Sequence, residues 1–296
     1  MNDLALITRA NFLPLAIIIA LTGVTAAFYA HATFNPFEDI LVLIGALLTH
    51  AAVNVFNNYF DYRSGVDAKT LKTPFSGGVD ILVQGKMKPS LAVAIGSVCF
   101  LAAALIGAYF LTLVFYPLFP ILAYGFVAII LYTPLLSKIP AVSEIIAGSG
   151  FGFMALGAYV TQTGVIDKTG LTILAPVSIL VGLLLFLNEF PDMEADMTAG
   201  RRHIVVLFGR KSSALIYVAG LIAAYLSIVV AVVANAAPVT VLISLATVPI
   251  AFRAGRLALK YYDQVPELVP ALASNVMVVL STILLIAVGF LLGSYL

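Results

Sequence analysis

The sequence predicts an all-α protein, a polytopic membrane bundle of nine transmembrane helices around a central cavity with a polar cap at one end. Hydrophobic residues make up 62% and charged residues 10% of the 296 residues, whereas apolar residues are about half of an average soluble domain. Nine segments are also long and apolar enough to cross a bilayer core. Their approximate limits are 12–32, 38–56, 90–114, 117–135, 141–163, 170–188, 213–235, 238–258 and 268–294. We treat 1–296 as a single domain.

Composition narrows the possible classes further. We expect the first apolar segment to be a retained helix, because it is too long for a signal peptide and has no small-residue cleavage pattern. The single cysteine, Cys99, lies inside a predicted span, which excludes an intramolecular disulfide and a thiolate metal cluster. The net charge of +1 gives no reason to propose nucleic acid as a partner.

The basic residues predict the orientation of the bundle. On the nine-span map, fourteen of the fifteen lysines and arginines fall on one side, and Lys168 alone falls on the other. Cytoplasmic loops carry an excess of Lys and Arg. We therefore expect an integral protein of the plasma membrane whose long connections, 57–89 and 189–212, face the cytoplasm and carry the functional site.

The first of two polar clusters follows the second predicted span. Asn54, Asn57 and Asp61 are spaced i, i+3 and i+7, which places them on one face if the helix continues to about residue 61. Gly65 then ends the helix and lets Asp67 turn back toward that face.

The second cluster follows the sixth predicted span. Asn188, Asp192 and Asp196 are spaced i, i+4 and i+8, so they also share one helix face. Each cluster begins with an asparagine inside an apolar run, where polar side chains are costly and often functional. The alternative is that these acids are ordinary solvated residues that help to end the helices.

Oxygen-rich clusters of this kind suit a hard cation. Mg²⁺ in particular takes carboxylates, waters and the phosphate oxygens of a substrate. Carboxylates alone would repel a diphosphate, so cations are needed nearby. Four basic residues lie on the predicted side: Arg63, Lys138, Arg201 and Arg202. The two clusters together predict one site for magnesium diphosphate, where a metal can neutralise the leaving group.

At these residues the sequence resembles the UbiA superfamily of membrane prenyltransferases. That family has an NDxxDxxxD-like motif after the second helix and a DxxxD-like motif after the sixth, and the resemblance covers nearly the whole chain. It implies a Mg²⁺-dependent enzyme that transfers a polyprenyl group from a polyprenyl diphosphate to a small aromatic or lipid-precursor acceptor. It also implies contact with membrane lipids. The motif positions, implied as metal ligands, fall on Asn57, Asp61, Asp67, Asp192 and Asp196. Asn58 stands where many members have Asp.

Further site residues are predicted from this resemblance together with their positions on the predicted helices. We expect catalytic roles for Asp61, Asp192 and Lys138. We expect substrate contacts from Asn54, Arg63, Tyr124, Tyr132, Lys138, Asn188 and Arg201. An aromatic face such as that of Tyr132 can stabilise an allylic carbocation. The alternatives are that Tyr132 is an interfacial residue and that Lys138 only sets the topology.

Three other polar residues are interpreted structurally. Glu144, early in the fifth span, needs a partner, and we expect Lys138 to supply it. His203 is expected to be a solvated loop residue. Arg9, which precedes the first span, is expected to help set the orientation, although a contact with the diphosphate is also open.

The acceptor is indicated only by the branch that the sequence resembles. The stretches 58–67, 75–78, 156–164 and 200–202 look like those of 1,4-dihydroxy-2-naphthoate polyprenyltransferases of the menaquinone pathway. This implies 1,4-dihydroxy-2-naphthoate or a similar quinone precursor. Two alternative acceptors remain open, 4-hydroxybenzoate and geranylgeranylglyceryl phosphate. A different class, an ion-coupled secondary transporter, would place its carboxylates near the bilayer midplane, whereas these carboxylates follow the spans.

Overall fold

The computed structural model describes residues 2–67, 73–75 and 78–296, and the regular elements in these residues are helical. In chain order the α-helices are α1 (Asp3–Ile7), α2 (Pro14–His31), α3 (Pro36–Ser64), α4 (Pro89–Leu113), α5 (Leu118–Leu131), α6 (Val142–Thr163), α7 (Lys168–Thr198), α8 (Ile204–Val233), α9 (Val248–Tyr261) and α10 (Val265–Gly293). Two 3₁₀ helices cover Leu136–Lys138 and Val239–Thr247. Lys69, Lys72 and residues 76–77, which entered the sequence predictions, lie outside the described residues.

Eight helical segments are long and apolar enough to cross a membrane, one of them formed by the 3₁₀ helix Val239–Thr247 together with α9. Helix α5 is apolar but has only 14 residues, a length of about 21 Å. The hydrocarbon core of a bilayer is about 30 Å thick. The predicted all-helical membrane architecture is confirmed. The described residues contain nine apolar segments, and the fourth of them, α5, is shorter than a full span.

The helix of the predicted fourth span ends early because of Pro134. Helix α5 stops at Leu131, and Tyr132 follows as its cap. Pro134 disfavours helical backbone at the residue before it, and the chain then turns through Leu136–Lys138. The turn is held against the α7–α8 connection, since the Ala141 N–H donates to the carbonyl of Arg202 at 3.1 Å. The early end of α5 leaves Tyr132 at the polar end of the bundle.

Helices α3 and α7 both continue beyond their apolar runs. Helix α3 reaches Ser64 and ends at Gly65, whose φ of 75° is the left-handed conformation that favours glycine. This agrees with the predicted helix end. Helix α7 runs to Thr198, so the connection begins later than the predicted residue 189, whereas the predicted helix face of Asn188, Asp192 and Asp196 agrees with the structure. Its last turns, Met193–Thr198, carry mostly residues that favour helix, and the second acidic cluster is therefore held on rigid backbone.

Glycine lets α6 and α7 lie close together beside the cavity. A Cβ added at Gly148 would clash with the carbonyl oxygen of Ser178 and lie 3.1 Å from the Cα of Gly182, both on α7. A Cβ added at Gly150, on the same helix, would meet no atom within 4 Å. The two glycines therefore differ in what they do: Gly148 permits helix contact, whereas Gly150 faces open space.

We expect Gly148→Ala to lower the thermal unfolding temperature of the detergent-solubilised protein. The added methyl group has to push α6 away from α7, and overpacking of this kind costs about 1–3 kcal/mol. Gly150→Ala is the matched control. It should keep or raise the unfolding temperature, because alanine in a helix is more stable than glycine by about 1 kcal/mol. Equal unfolding temperatures for the two variants would contradict the close approach of the helices.

Candidate active site

A cavity of about 290 Å³ lies between α3, α5, α6 and α7. Its polar end is lined by Asn54, Asn57, Asp61, Asn188, Asp192 and Asp196, and its deeper part by apolar residues such as Phe151, Met154, Val181 and Leu184. A second, apolar cavity of about 130 Å³ shares part of this lining, including Gly125, Ile129 and Gly150. The bundle therefore has the polar cap above an apolar interior that the sequence predicts.

Arg201 joins the two acidic clusters. One of its guanidinium nitrogens donates to Asp196 on α7 at 2.9 Å, and the other donates to Asp61 on α3. Burial by itself lowers the pKa of Arg201, but attraction to Asp61 and Asp196 raises it above its ordinary value, so the guanidinium stays charged. The structure thus brings together two carboxylates that are 135 residues apart in sequence and come from different helices.

The end of α7 explains why Arg201 reaches both carboxylates. Gly200 has a φ of 76° and donates its N–H to the carbonyl of Met197, while the Arg201 N–H donates to the carbonyl of Asp196. These two bonds form a Schellman motif, the common glycine-dependent helix end. The motif turns the chain back on itself and sets the Arg201 side chain beside the last acidic residue of the helix.

Asn188 and Asp192 each place an oxygen in the cavity, Oδ1, that is buried without a hydrogen-bond partner. Both residues line the cavity and are four residues apart on α7, so they project from the same face. Leaving such oxygens unsatisfied costs about 1–3 kcal/mol each. A hard cation that prefers oxygen ligands removes this cost, and the two side chains therefore fit Mg²⁺.

The carboxyl groups of the cavity also favour a cation. Among the described residues that line it, four carboxyl groups (Asp61, Glu189, Asp192 and Asp196) outnumber two guanidinium groups (Arg9 and Arg201). A diphosphate entering alone would lie beside these carboxyl oxygens, whereas a divalent cation would be attracted to them. The arrangement suits a metal and an anion that bind together.

Asn54 and Asn57 line the cavity and also hold the N-terminal segment. The Asn54 amide donates to the carbonyl of Thr8 at 2.9 Å. The Asn57 oxygen accepts from Arg9 at 3.2 Å, and its amide donates to Thr133 at 3.2 Å. Arg9, expected mainly to set the orientation, therefore enters the site through its side chain. For Asn57 to bind a metal, its oxygen has to exchange Arg9 for the cation.

Asn58 has a packing role. It is fully buried and does not line the cavity. Its oxygen accepts from Arg9 at 2.6 Å, and its amide donates to the carbonyl of Ile7 at 2.9 Å. An aspartate here could not donate to Ile7, which explains an asparagine at this position: the residue fastens α1 and Arg9 to α3.

Asp67 is buried, as expected for a residue that turns back after Gly65. Its carboxylate packs against Gly78, where a Cβ would clash with it. Gly78 itself lines the cavity, so Asp67 lies just behind the lining. Glu194, by contrast, is exposed and pairs with Arg210 at 2.6 Å, on a different face of α7 from Asp192.

Three residues expected to contact substrate are not in the cavity lining. Arg63 and Lys138 are exposed, and the Arg63 guanidinium lies 6.0 Å from the ring of Tyr59. Tyr124 hydrogen-bonds Ser149 and also lies outside the lining. Tyr132, in contrast, lines the cavity together with Asn188 and Asp192.

Two structural interpretations of the sequence are wrong. His203 is not solvated: it is 2% exposed and its Nε2 lies 3.2 Å from Asp196. Glu144 does not pair with Lys138. It accepts from the hydroxyl of Ser143 and from the backbone N–H of Ile204, both at 2.7 Å. The bond from Ile204 joins α6 to the start of α8, and no local sequence pattern reveals a contact between such distant segments.

Glu189 lines the cavity but is not among the site residues predicted from the sequence. It is 6% exposed and lines the cavity, close to Glu144 and His203. One signal could have found it: a carboxylate one residue after Asn188, at the end of an apolar run, is costly unless it has a partner or a function.

Comparisons with known proteins agree with this geometry. The model of the UbiA prenyltransferase family matches residues 16–271. A 1,4-dihydroxy-2-naphthoate octaprenyltransferase from Bacillus subtilis is 28% identical over 247 residues, which are 82% of this chain and 78% of the relative.

Two solved structures share the fold. The apo structure of a UbiA homologue from Aeropyrum pernix K1 aligns with a TM-score of 0.75 at 18% identity, over 95% of this chain and 98% of that one. A UbiA homologue from Archaeoglobus fulgidus bound to DMAPP and Mg²⁺ aligns with a TM-score of 0.63 at 12% identity, over 94% and 99% of the two chains.

The helical membrane bundle, the paired acidic helix ends and the family match together place this protein in the class of membrane prenyltransferases. The chain belongs to the UbiA prenyltransferase family. The predicted family and enzyme class are thereby confirmed, and the alternative of a secondary transporter gains no support.

Proposed function

We propose that this protein transfers a polyprenyl group from a polyprenyl diphosphate to an aromatic acceptor, with release of diphosphate. The observation that carries the proposal is the facing of two acidic helix ends across Arg201. The unsatisfied oxygens of Asn188 and Asp192 lie in the same cavity. Such an arrangement can bind a metal and a diphosphate together.

The described residues divide the work as follows. Asp192 and Asn188 offer free oxygens to a metal, and Asp61 and Asp196 can exchange Arg201 for a cation, with Asn57 and Asp67 completing the expected ligands. When bound, Mg²⁺ supplies Lewis-acid neutralisation of the diphosphate leaving group. Arg201 and Arg9, once released from the carboxylates and amides, are positioned to donate to the phosphate oxygens.

The apolar part of the cavity suits the prenyl tail. Below the polar cap it is lined by side chains such as Phe151, Met154 and Leu184, and burial of the tail against them is favourable by about 25 cal/mol per Å². Tyr132 lies at the boundary between the polar and apolar parts. Its ring is therefore placed to face the first carbons of the donor, where positive charge develops as the bond to diphosphate breaks.

An acceptor of the 1,4-dihydroxy-2-naphthoate type is the finer part of the proposal. It is supported by the similarity to the Bacillus subtilis naphthoate octaprenyltransferase and by the sequence stretches around Asp61 and Gly200. The alternatives are 4-hydroxybenzoate and geranylgeranylglyceryl phosphate. We also propose that the polar cap faces the cytoplasm from the plasma membrane, because both acidic helix ends lie on the side with the basic residues.

Product formation by the purified protein tests this proposal. The protein in detergent or nanodiscs is incubated with Mg²⁺, a labelled polyprenyl diphosphate and one of three acceptors: a dihydroxynaphthoate, a hydroxybenzoate or a glycerol phosphate ether. We expect a prenylated product and diphosphate with the naphthoate. Product only with the glycerol phosphate would replace the aromatic acceptor, and no product with any acceptor would contradict prenyl transfer.

A further inference from the structure

The second, apolar cavity opens from the proposed site. The two cavities share five lining residues, Thr49, Gly125, Ile129, Gly150 and Met154, which form the junction between them. Among the described residues that line the second cavity, none carries a charge, and the only side-chain hydroxyl groups are those of two threonines. Such a space favours an apolar occupant, because a polar group would lose its hydrogen bonds to water there.

The second cavity lies farther from the polar cap than the first. Along α3 the lining runs from Asp61 at the cap to Thr49 at the junction and Val42 at the far end. At 1.5 Å per helical residue, these two steps are about 18 Å and about 10 Å long. Along α6 the whole lining, from Ser143 to Thr161, is about 27 Å long. The two cavities therefore form one path that leads away from the cap.

The length of this path can be compared with that of a prenyl tail. Three backbone bonds of an extended chain span about 3.3–3.6 Å, and each five-carbon unit of a prenyl tail has four such bonds. An extended unit is therefore about 4–5 Å long. A tail with its diphosphate at the cap reaches the junction after about three units and the far end of the second cavity after about six.

Two glycines keep the junction open, Gly125 on α5 and Gly150 on α6. A Cβ added at either would meet no atom within 4 Å. Gly107, in the wall of the second cavity, differs, since a Cβ there would lie 3.1 Å from a methyl carbon of Leu122 and the glycine permits helix packing. Glycine is unfavourable in a helix interior. Two helical glycines that meet no neighbour therefore indicate that the junction needs the space.

We propose that the second cavity holds the far units of a long donor tail, and that Gly125 and Gly150 admit them. This rests on the proposed function, in which a polyprenyl diphosphate is the donor. The junction then discriminates between donors by length. A tail of two units ends before the glycines, whereas a tail of six units has to pass between them to stay inside the bundle. The other path for a long tail leads out between the helices into the bilayer.

Gly150→Leu tests this proposal with two donors, geranyl diphosphate with two units and hexaprenyl diphosphate with six. The leucine side chain projects into the junction and excludes the far units of the longer tail. We expect kcat/KM for hexaprenyl diphosphate to fall about 100-fold or more, since burial of only four methylene groups is worth about this factor. The value for geranyl diphosphate should change less than about threefold, because its tail does not reach the junction.

Gly125→Leu closes the junction from the other helix and should give the same discrimination between the two donors. Val127→Leu is the matched control on α5, because its side chain is 54% exposed on the outside of the bundle. It should leave the ratio of the two kcat/KM values unchanged. Unfolding temperatures identify the variants that are folded. In folded junction variants, equal losses for both donors or full activity with hexaprenyl diphosphate would overturn the proposal.

Photolabelling of the unmodified protein provides a second readout that needs neither a variant nor turnover. A hexaprenyl diphosphate analogue with a diazirine at the end of its tail is bound in Mg²⁺, irradiated and mapped by mass spectrometry. It should label residues of the second cavity such as Phe110, Leu118 and Thr161. A geranyl analogue should label the first cavity, for example Phe151. Labelling of outward-facing side chains by the hexaprenyl analogue would show that the tail leaves for the bilayer and would overturn the proposal.

The two proposals fail differently. If the unmodified protein transfers both prenyl groups and the folded junction variants use hexaprenyl diphosphate equally well, only the role of the second cavity is lost. If the unmodified protein transfers no prenyl group from either donor, the proposed function is lost, whatever the labelling shows.

Discussion

Asp61→Ala and Asp192→Ala should each reduce prenyl transfer about 10²-fold or more, the size of effect seen when one group is removed from a preorganised electrostatic site. Asp61 belongs to α3 and Asp192 to α7, and both line one cavity. If the two carboxylates hold one diphosphate through bound metal, loss of either side disables the whole site. The measurement is initial rate at limiting Mg²⁺ with saturating acceptor.

The double variant distinguishes one shared site from two independent ones. Groups that act as a unit are strongly non-additive, so Asp61→Ala/Asp192→Ala should be only slightly worse than the poorer single variant. Glu194→Ala serves as a control for loss of an acidic residue from α7. Unfolding temperatures should show that each variant is folded. Losses that multiply, or near-normal turnover of both single variants, would contradict a shared site.

Removing Mg²⁺ should abolish turnover. Four carboxyl groups and two guanidinium groups line the described part of the cavity, so a diphosphate without added cations lies beside more carboxyl oxygens than cationic groups. EDTA is therefore expected to reduce the rate to background, and excess Mg²⁺ to restore it. Ca²⁺ should restore it poorly, because it prefers more ligands at longer distances. Substantial turnover in EDTA, after removal of trace metal, would contradict this prediction.

Local periodicity predicts the parts of the site that lie on single helices. The spacing of Asn54, Asn57 and Asp61 identifies one face of α3, and Gly65 identifies its end. The same argument places Asn188 and Asp192 together on α7. In both cases the helix itself determines the geometry, so the sequence contains the information. The connection after α7 begins later than the predicted residue 189, because the end of an apolar run does not show how far the helix continues.

Contacts between distant segments cannot be predicted in this way. The charge pattern places Arg63, Lys138 and Arg201 at one end of the bundle, but it does not show which side chains point inward. Arg201 does so because the Gly200 turn directs it back toward α7, whereas Arg63 and Lys138 are exposed. Glu189 meets Glu144 only through the packing of α6 on α7, which the close approach at Gly148 permits.

Binding of a polyprenyl diphosphate, measured by calorimetry with and without Mg²⁺, tests the central claim that metal and diphosphate share one site between α3 and α7. Since coupling between two ligands is reciprocal, Mg²⁺ should raise donor affinity and the donor should raise Mg²⁺ affinity by the same factor. Asp61→Ala and Asp192→Ala should each remove most of that coupling, while Glu194→Ala keeps it. Equal donor affinity in Mg²⁺ and in EDTA, or coupling that survives both aspartate substitutions, would contradict the shared site.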